Sequence, residues 1–159
     1  MMKKITKEER AKVFFKEGYN CAQSVFLAFS DEFEIDKETI LKLTSSFGGG
    51  MGRLREVCGA VSGMFLVAGM LHGYTDPDDN RAKTEHYRRI QKLASQFKEI
   101  HGSIICRDLL GLTKTSDKPN PEQRTADYYR KRPCIQLVSD AVGILERMIR
   151  WDKNEKNTN

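Results

Sequence analysis

Residues 55–66 read REVCGAVSGMFL and predict the start of a buried helix. The apolar run that follows Cys58 covers residues 59–71. As a helix, these 13 residues extend roughly 20 Å, which is shorter than the roughly 30 Å of a bilayer core. The run therefore predicts a core helix and no membrane span. Its glycines need an explanation, because each glycine inside a helix costs about 1 kcal/mol relative to alanine.

Gly59 and Gly63 lie four residues apart and share one face of this helix. A face with so few side-chain atoms lets a neighbouring helix or a small ligand approach the backbone closely, with Cys58 at its rim. Two interpretations stay open: tight helix packing, and a slot in which Gly59 and Gly63 bind a cofactor.

Apolar residues at helical spacing continue outward from this stretch in both directions. The predicted helices span 6–17, 21–29, 36–46, 53–72, 80–101, 104–110 and 134–149. Thr6, Asn20 and Asp36 are suitable N-caps, and Gly18 and Gly102 are suitable stops. The sequence shows no strand-like alternation and no internal repeat. It predicts an all-α fold, a single-domain bundle of about six helices around a buried, glycine-rich central helix.

The segments between the helices have their own composition. Residues 47–52, FGGGMG, predict a turn or a close-approach loop. Residues 112–133 are polar, contain three prolines and predict a long loop with at most one helical turn near Tyr128. The predicted domain then spans 1–151, and residues 152–159 form a polar tail. The side chains predicted to face the core include Ile40, Leu41 and Leu43; Tyr87, Ile90, Leu93 or Ala94, Phe97 and Ile100; and Cys134, Leu137 or Val138, Ala141, Leu145 and Met148.

The composition bounds the class of protein. The chain has 159 residues, 39% of them hydrophobic, which is enough for one compact domain. Its 27 basic and 22 acidic residues are interspersed and give a net charge of +5. This pattern is typical of a solvated mixed surface and, without a nucleic-acid motif, argues against a nucleic-acid partner. The N-terminal residues lack the apolar segment of a secretory signal, which predicts a cytoplasmic protein.

Four cysteines are the candidate chemistry of the chain: Cys21, Cys58, Cys106 and Cys134. Each lies on, or at the start of, an apolar helical stripe. Thiols in a reducing cytosol do not ordinarily form structural disulfides, so catalysis, metal binding or plain burial must explain them. If the stripes form one core, the four cysteines converge on a shared site.

The surroundings of the cysteines bear on their reactivity. Cys21 and Cys134 begin helices, where the helix dipole stabilises a thiolate. Lys131 and Arg132 lie three and two residues before Cys134, and Arg55 precedes Cys58 by three residues. Because basic residues are frequent throughout the chain, the helix starts are the stronger indication.

Two kinds of chemistry fit four separated cysteines. A dithiol that cycles to a disulfide needs two Cα atoms within about 7 Å, which facing helices can provide. A zinc or iron–sulfur site usually shows paired ligands such as C-x-x-C, and the sequence has none, although four single ligands can still hold a metal. The dithiol is the less demanding prediction, and metal ligation by the same four residues is the alternative. A third alternative is a non-catalytic helical module with an apolar face for a partner.

Two further features are weaker. The glycine loop and the following Arg53 and Arg55 could hold an anion through backbone amides, but the loop lacks the spacing of nucleotide-binding motifs and follows no strand. His101 lies five residues before Cys106 and is either a base for that thiol or a favourable cation at the helix C-terminus.

The order of the cysteine motifs resembles a known family. Cys21 lies in GYNCAQSVF, GGGMG is followed by CGAVSG, Cys106 lies in CRDLLG, and Cys134 lies in RPCIQLVSDAVGIL. Over about residues 18–145 these motifs resemble the bacterial and archaeal C_GCAxxG_C_C family, whose redox role is inferred from its cysteines. The resemblance implies one shared cysteine site. Family members look to be encoded beside transporter genes, which implies a transporter as a partner. Residues 112–131 match no family motif.

The sequence thus predicts a thiol-based redox-active protein, a candidate thiol oxidoreductase whose site residues are Cys21, Cys58, Cys106 and Cys134. The dithiol chemistry requires no cofactor, whereas zinc or an iron–sulfur cluster belongs to the metal alternative. The expected partners are a redox partner, a transporter or a second copy of the chain.

Overall fold

The computed structural model describes residues 4–113 and 118–157. Its helices are α1 (Lys7–Lys16), α2 (Cys21–Ala28), α3 (Lys37–Ser45), α4 (Gly48–Met51), α5 (Gly59–His72), α6 (Asn80–His101), α7 (Cys106–Leu109), α8 (Ala126–Lys131) and α9 (Cys134–Asn157). A 3₁₀ turn covers Ser30–Glu32. Within the described ranges there is no strand, and the β-type pairing is one antiparallel bridge between Val57 and Ile105. The prediction of an all-α fold is confirmed.

The helix ends follow the signals in the sequence. Thr6 Oγ1 accepts a hydrogen bond from the Glu9 N–H (3.1 Å), and Glu9 Oε2 accepts one from the Thr6 N–H (2.8 Å). Asn20 forms the same reciprocal capping box with Gln23 at the start of α2. Helix α6 ends at Gly102, whose φ of 84° is the left-handed conformation that terminates helices.

Helix α5 occupies the interior of the bundle. It packs against α2, α6 and α9, while α1 packs against α2 and α9. Residues 59–64, Val67 and Ala68 of α5 are buried. None of the described helices combines the length and the apolarity needed to cross a membrane.

Gly63 explains the close contact between α5 and α2. A Cβ atom at Gly63 would lie 2.9 Å from the Ala22 carbonyl oxygen and 3.0 Å from Val25 Cβ. Real Cβ atoms do not approach neighbours this closely in a packed interior, so the absence of a side chain sets the distance between the two helices. At this position the structure favours the helix-packing interpretation.

The central helix begins later than predicted. Residues 53–58 are not helical, and α5 starts at Gly59 rather than near residue 53. Arg53 and Arg55 have φ angles of 66° and 59°, which a right-handed helix excludes. The segment pairs instead with residues 104–107 through backbone hydrogen bonds of 2.8, 2.6 and 3.2 Å. Pairing with a distant segment thus overrides the local helical pattern.

The two predicted loops each contain a short helix. The glycine loop forms the four-residue turn α4, in which Gly49 and Gly50 have φ angles of 66° and 70° rather than those of a right-handed helix. This left-handed backbone suits residues without a Cβ atom. In the predicted loop 112–133, residues 126–131 form α8, and residues 114–117 lie outside the described ranges.

Three side chains predicted to face the core are exposed instead: Leu43, Tyr87 and Ile100. Helix α3 packs mainly on α2 and buries only the single line formed by Ile40 and Thr44. In α6 the buried residues are Leu93 and Phe97, again four residues apart. Both helices lie at the outside of the bundle, so the face that meets a neighbour is narrower than the apolar stripe in the sequence.

The last helix is longer than predicted. Helix α9 continues through residues 152–157, which the sequence analysis assigned to a polar tail. Asp152 Oδ2 lies 3.2 Å from His72 Nε2 and 3.9 Å from Arg89 Nη2, which connects the end of α9 to α5 and α6. Extension of an existing helix also needs no new nucleation, so a polar composition does not stop it.

The packing at Gly63 yields a stability prediction with a matched control. Gly63→Ala places a methyl group against Ala22 and Val25, whereas Gly69→Ala, in the same helix, meets no atom within 4 Å. We expect Gly69→Ala to raise the free energy of unfolding by about 0.5–1 kcal/mol, because alanine favours the helix. Gly63→Ala should be less stable than Gly69→Ala by about 1–3 kcal/mol because of overpacking.

Urea denaturation followed by circular dichroism measures both differences. Equal stabilisation by the two substitutions would contradict the close packing of α5 on α2.

Candidate active site

The four cysteines lie around one cavity. Cys21 begins α2, Cys58 occupies the N-cap position of α5, Cys106 begins α7 and Cys134 begins α9, so four helix N-termini meet here. The cavity has a volume of about 50 Å³, which admits water-sized groups and is far below the roughly 300 Å³ of a small organic-ligand site. All four are free thiols, and Cys21 is the most exposed of them.

Glycines allow the backbone to approach two of these cysteines. A Cβ atom at Gly59 would lie 3.0 Å from Cys21 Cβ, and one at Gly50 would lie 2.5 Å from Cys106 Cβ. Both glycines line the cavity. Gly63, the other predicted cofactor-binding glycine, is not among the lining residues and packs against α2 instead.

Arg55 is the most deeply buried charged group at the cavity. It is 2% exposed, and its Nη1 donates a hydrogen bond to Cys106 Sγ at 3.7 Å. Arg55 lies three residues before Cys58 in the sequence, but in the fold its guanidinium contacts Cys106. Arg107, which follows Cys106 in the chain, lies 3.3 Å from Glu56 Oε2 and does not line the cavity.

Cys21 and Cys134 line the same cavity and shift each other's acidity in opposite directions. The hydrogen bond from Cys21 lowers the pKa of Cys134 to about 7; burial opposes this shift, and the positive charges of Arg132, Arg124 and Arg55 add to it. The same hydrogen bond raises the pKa of Cys21 well above its usual value, and burial raises it further. Near neutral pH a substantial fraction of Cys134 is therefore thiolate, whereas Cys21 stays a thiol.

Cys58 and Cys106 favour the protonated form. Burial raises the pKa of Cys58 to about 12, although the backbone N–H groups of Ala60 and Val61 lower it in part. Burial also raises the pKa of Cys106, and the hydrogen bond and charge of Arg55 oppose that shift. One shared cavity thus contains thiols of very different acidity, and Cys134 is the strongest candidate nucleophile.

Part of the cavity wall comes from the loop to which the sequence analysis gave no role. Arg124 donates hydrogen bonds to the carbonyl oxygens of Phe15 (3.2 Å) and Tyr19 (3.3 Å), and its guanidinium carbon lies 4.9 Å from the centre of the Tyr128 ring. Burial raises the pKa of Tyr128 to about 12, so its hydroxyl stays protonated. No local motif connects these two residues to the cysteines; only the tertiary fold brings them together.

The other predicted candidates lie elsewhere. Of the basic pair before Cys134, Arg132 lines the cavity, whereas Lys131 is exposed and lies 2.7 Å from Asp127 Oδ2. His101 does not line the cavity. Its Nε2 lies 3.0 Å from Asp140 Oδ2, and its ring packs on Phe97. The interpretation of His101 as a base for Cys106 therefore lacks the required contact.

The metal alternative requires the same four cysteines to be arranged as ligands. Within 4–113 and 118–157, no group of three or more His, Cys, Asp or Glu side chains is placed so that it could hold a metal ion. The four cysteines share a cavity wall, but their present arrangement is not a ligand set.

The protein is therefore an all-α bundle in which four cysteines, far apart in the sequence, lie at the starts of helices around one cavity. The sequence matches the family described as "Putative redox-active protein (C_GCAxxG_C_C)" over residues 19–148, and the chain belongs to this family. The match includes all four cysteines and confirms the resemblance seen in the sequence. Comparisons with curated proteins and with solved structures find no match.

The acidity of Cys134 can be tested by alkylation. We expect iodoacetamide to modify Cys134 first, with a rate that rises with pH through a midpoint near 7, since only the thiolate reacts. Cys21→Ala removes the hydrogen bond to Cys134 and should move this midpoint to higher pH, slowing the reaction at pH 7 by roughly three- to tenfold.

Peptide mass spectrometry at a series of pH values gives the rate for each cysteine. Arg107→Gln is the matched control and should leave the Cys134 profile unchanged, because Arg107 pairs with Glu56 outside the cavity. A midpoint near the ordinary cysteine value in the unmodified protein would contradict the assignment.

Proposed function

We propose that this protein is a thiol–disulfide oxidoreductase in which Cys134 attacks a substrate disulfide and Cys21 resolves the mixed disulfide. The observation that carries the proposal is that Cys21 and Cys134 begin two helices on the wall of one cavity, where Cys21 and nearby arginines lower the pKa of Cys134 and Cys134 raises that of Cys21. A nucleophilic thiolate beside a protonated thiol is the arrangement that disulfide exchange requires.

The first step forms a bond to the protein. The Cys134 thiolate attacks the sulfur bonded to R in a disulfide R–S–S–R′. A bond forms between Cys134 Sγ and that sulfur, and the S–S bond of the substrate breaks. R′ leaves as a thiolate and takes a proton from solvent. Arg132, Arg124 and Arg55 hold positive charge near the reacting sulfur and favour the thiolate before attack.

The second step releases the product. Cys21 loses its proton, its sulfur attacks Cys134 Sγ, and R leaves as a thiolate that takes up a proton. The pair gives two electrons to the substrate, which becomes two thiols, and the protein keeps a Cys21–Cys134 disulfide. An external dithiol restores the starting state by the reverse exchange. The predicted cytoplasmic location supports this cycle, because a reducing compartment supplies such dithiols.

In the proposed cycle, Cys58 and Cys106 belong to the same site and react after Cys134 and Cys21. Their raised pKa values keep them protonated, so they react more slowly than Cys134. Their place in the cavity wall suits a second dithiol that accepts the disulfide from Cys21 and Cys134 by internal exchange, which moves two electrons within the protein.

Serine substitutions separate these roles. With 2-hydroxyethyl disulfide as substrate, Cys134→Ser should reduce the rate of thiol release by at least about 100-fold, because the attacking sulfur is absent. Cys21→Ser should accumulate the mixed disulfide on Cys134, since no thiol resolves it. Cys58→Ser and Cys106→Ser should retain the first turnover.

Intact-protein mass spectrometry detects the trapped adduct, and a thiol-specific dye measures product release. If all four variants react like the unmodified protein, the thiols are not the chemistry of the site. That result would favour the non-catalytic helical module.

A further inference from the structure

Beside the cysteine cavity, three arginines are directed at one carboxylate of the protein. Glu122 Oε1 contacts Arg132 Nη2, lies 3.6 Å from Arg53 Nη2 and lies 3.9 Å from Arg55 Nη2. We call Arg53, Arg55 and Arg132 the arginine cluster. Guanidinium groups present planar N–H donors that match the two oxygens of a carboxylate. The cluster therefore recognises a carboxylate group in the structure as it stands.

The arginine cluster lies on the inner side of this contact and the glutamate on the outer side. The side chains of Arg55, Arg53 and Arg132 are 3%, 16% and 18% exposed, whereas that of Glu122 is 42% exposed. An anion arriving from solvent thus meets the glutamate first and has only an exposed side chain to displace. The arginines are held by the fold and need no rearrangement.

The same residues border a second, larger cavity that is open to solvent. It has a volume of about 320 Å³, within the range of small-ligand sites. It shares six lining residues with the cysteine cavity: Asn20, Gly49, Arg55, Arg124, Tyr128 and Arg132. Its wall also contains Gly48 and Arg53. The region that the sequence marked as a weak anion site is thus part of this wall.

We propose that the arginine cluster is an anion subsite for substrates, and that small carboxylate-bearing disulfides displace Glu122 and present their S–S bond to Cys134. This inference rests on the proposed function and specifies its substrate class. The cavity of about 50 Å³ at the cysteines receives only the attacked sulfur, and the cavity of about 320 Å³ receives the charged end of the substrate. The exchange steps are those already given, so the subsite adds recognition and no new chemistry.

Three small symmetric disulfides of different charge test the proposal: 3,3′-dithiodipropionate, which is anionic, 2-hydroxyethyl disulfide, which is neutral, and cystamine, which is cationic. With the unmodified, reduced protein we expect the second-order rate constant for the anionic disulfide to exceed that for the neutral one by about tenfold or more, and cystamine to be the slowest. Comparable rate constants for the three reagents would overturn the anion subsite while leaving the exchange chemistry in place.

Two variants then assign the preference to the subsite. Arg53→Gln should lower the ratio of the rate for 3,3′-dithiodipropionate to that for the neutral disulfide by roughly three- to tenfold, because Arg53 lines the larger cavity and not the cysteine cavity. Glu122→Gln should raise the anionic rate by a similar factor, since it removes the competing carboxylate. The neutral disulfide reports any change in the reactivity of Cys134 itself.

Arg81→Gln and Glu85→Gln are matched controls, because these residues form an exposed ion pair within α6, away from both cavities. An anionic preference that survives Arg53→Gln, or that Arg81→Gln lowers equally, would overturn the assignment.

A binding measurement keeps this inference separable from the proposed function. The thioether 3,3′-thiodipropionate has the same two carboxylates and no disulfide to exchange, and calorimetry measures its affinity for the reduced protein. Binding that weakens in Arg53→Gln and strengthens in Glu122→Gln supports the subsite even if no disulfide reacts, in which case the oxidoreductase proposal alone fails. Reaction of all three disulfides without thiodipropionate binding overturns the subsite alone.

Discussion

The structure depends on close backbone approach at the start of α5, where Gly59 lies against Cys21. A single methyl group at this position would meet the Phe47 carbonyl oxygen at 2.8 Å and Cys21 Cβ at 3.0 Å. Gly63, one turn later, continues the contact against Ala22. Because α2 and α5 can approach this closely, the N-termini of both helices open onto one cavity. The cost of glycine in a helix is offset by this packing.

A second constraint holds the other side of the cavity. Residues 53–58 pair with residues 104–107 through backbone hydrogen bonds, which places Cys58 beside Cys106 and positions α7. The left-handed conformation of Arg55 is strained for a residue with a side chain, and the surrounding hydrogen bonds maintain it. The Arg55 guanidinium donates a hydrogen bond to Cys106 Sγ. Backbone geometry and electrostatics are therefore coupled at this point.

The electrostatics of the cavity distinguish four thiols of the same chemical type. Burial disfavours a thiolate at each of them, and only at Cys134 do the hydrogen bond from Cys21 and the nearby arginines overcome that penalty. Buried guanidinium groups in turn need nearby negative charge or hydrogen-bond acceptors. Arg55 and Arg132 lie near Glu122 and also lower the pKa of Cys134, so the cysteine cavity and the arginine cluster are electrostatically coupled.

The sequence by itself determined the helical class, the caps at Thr6 and Asn20 and the stop at Gly102, because these depend on periodicity and on contacts within one turn. It also indicated the four cysteines as a group, through their motifs. Only the tertiary structure decided the late start of α5 and the exposure of Leu43, since both depend on which distant segment lies alongside. It alone placed Arg124 and Tyr128 at the cysteines and Glu122 at the arginine cluster. These residues come from a segment with no motif. Contacts such as those of Arg124 and Glu122 with residues 15–55 are long-range, so no local sequence pattern predicts these contacts.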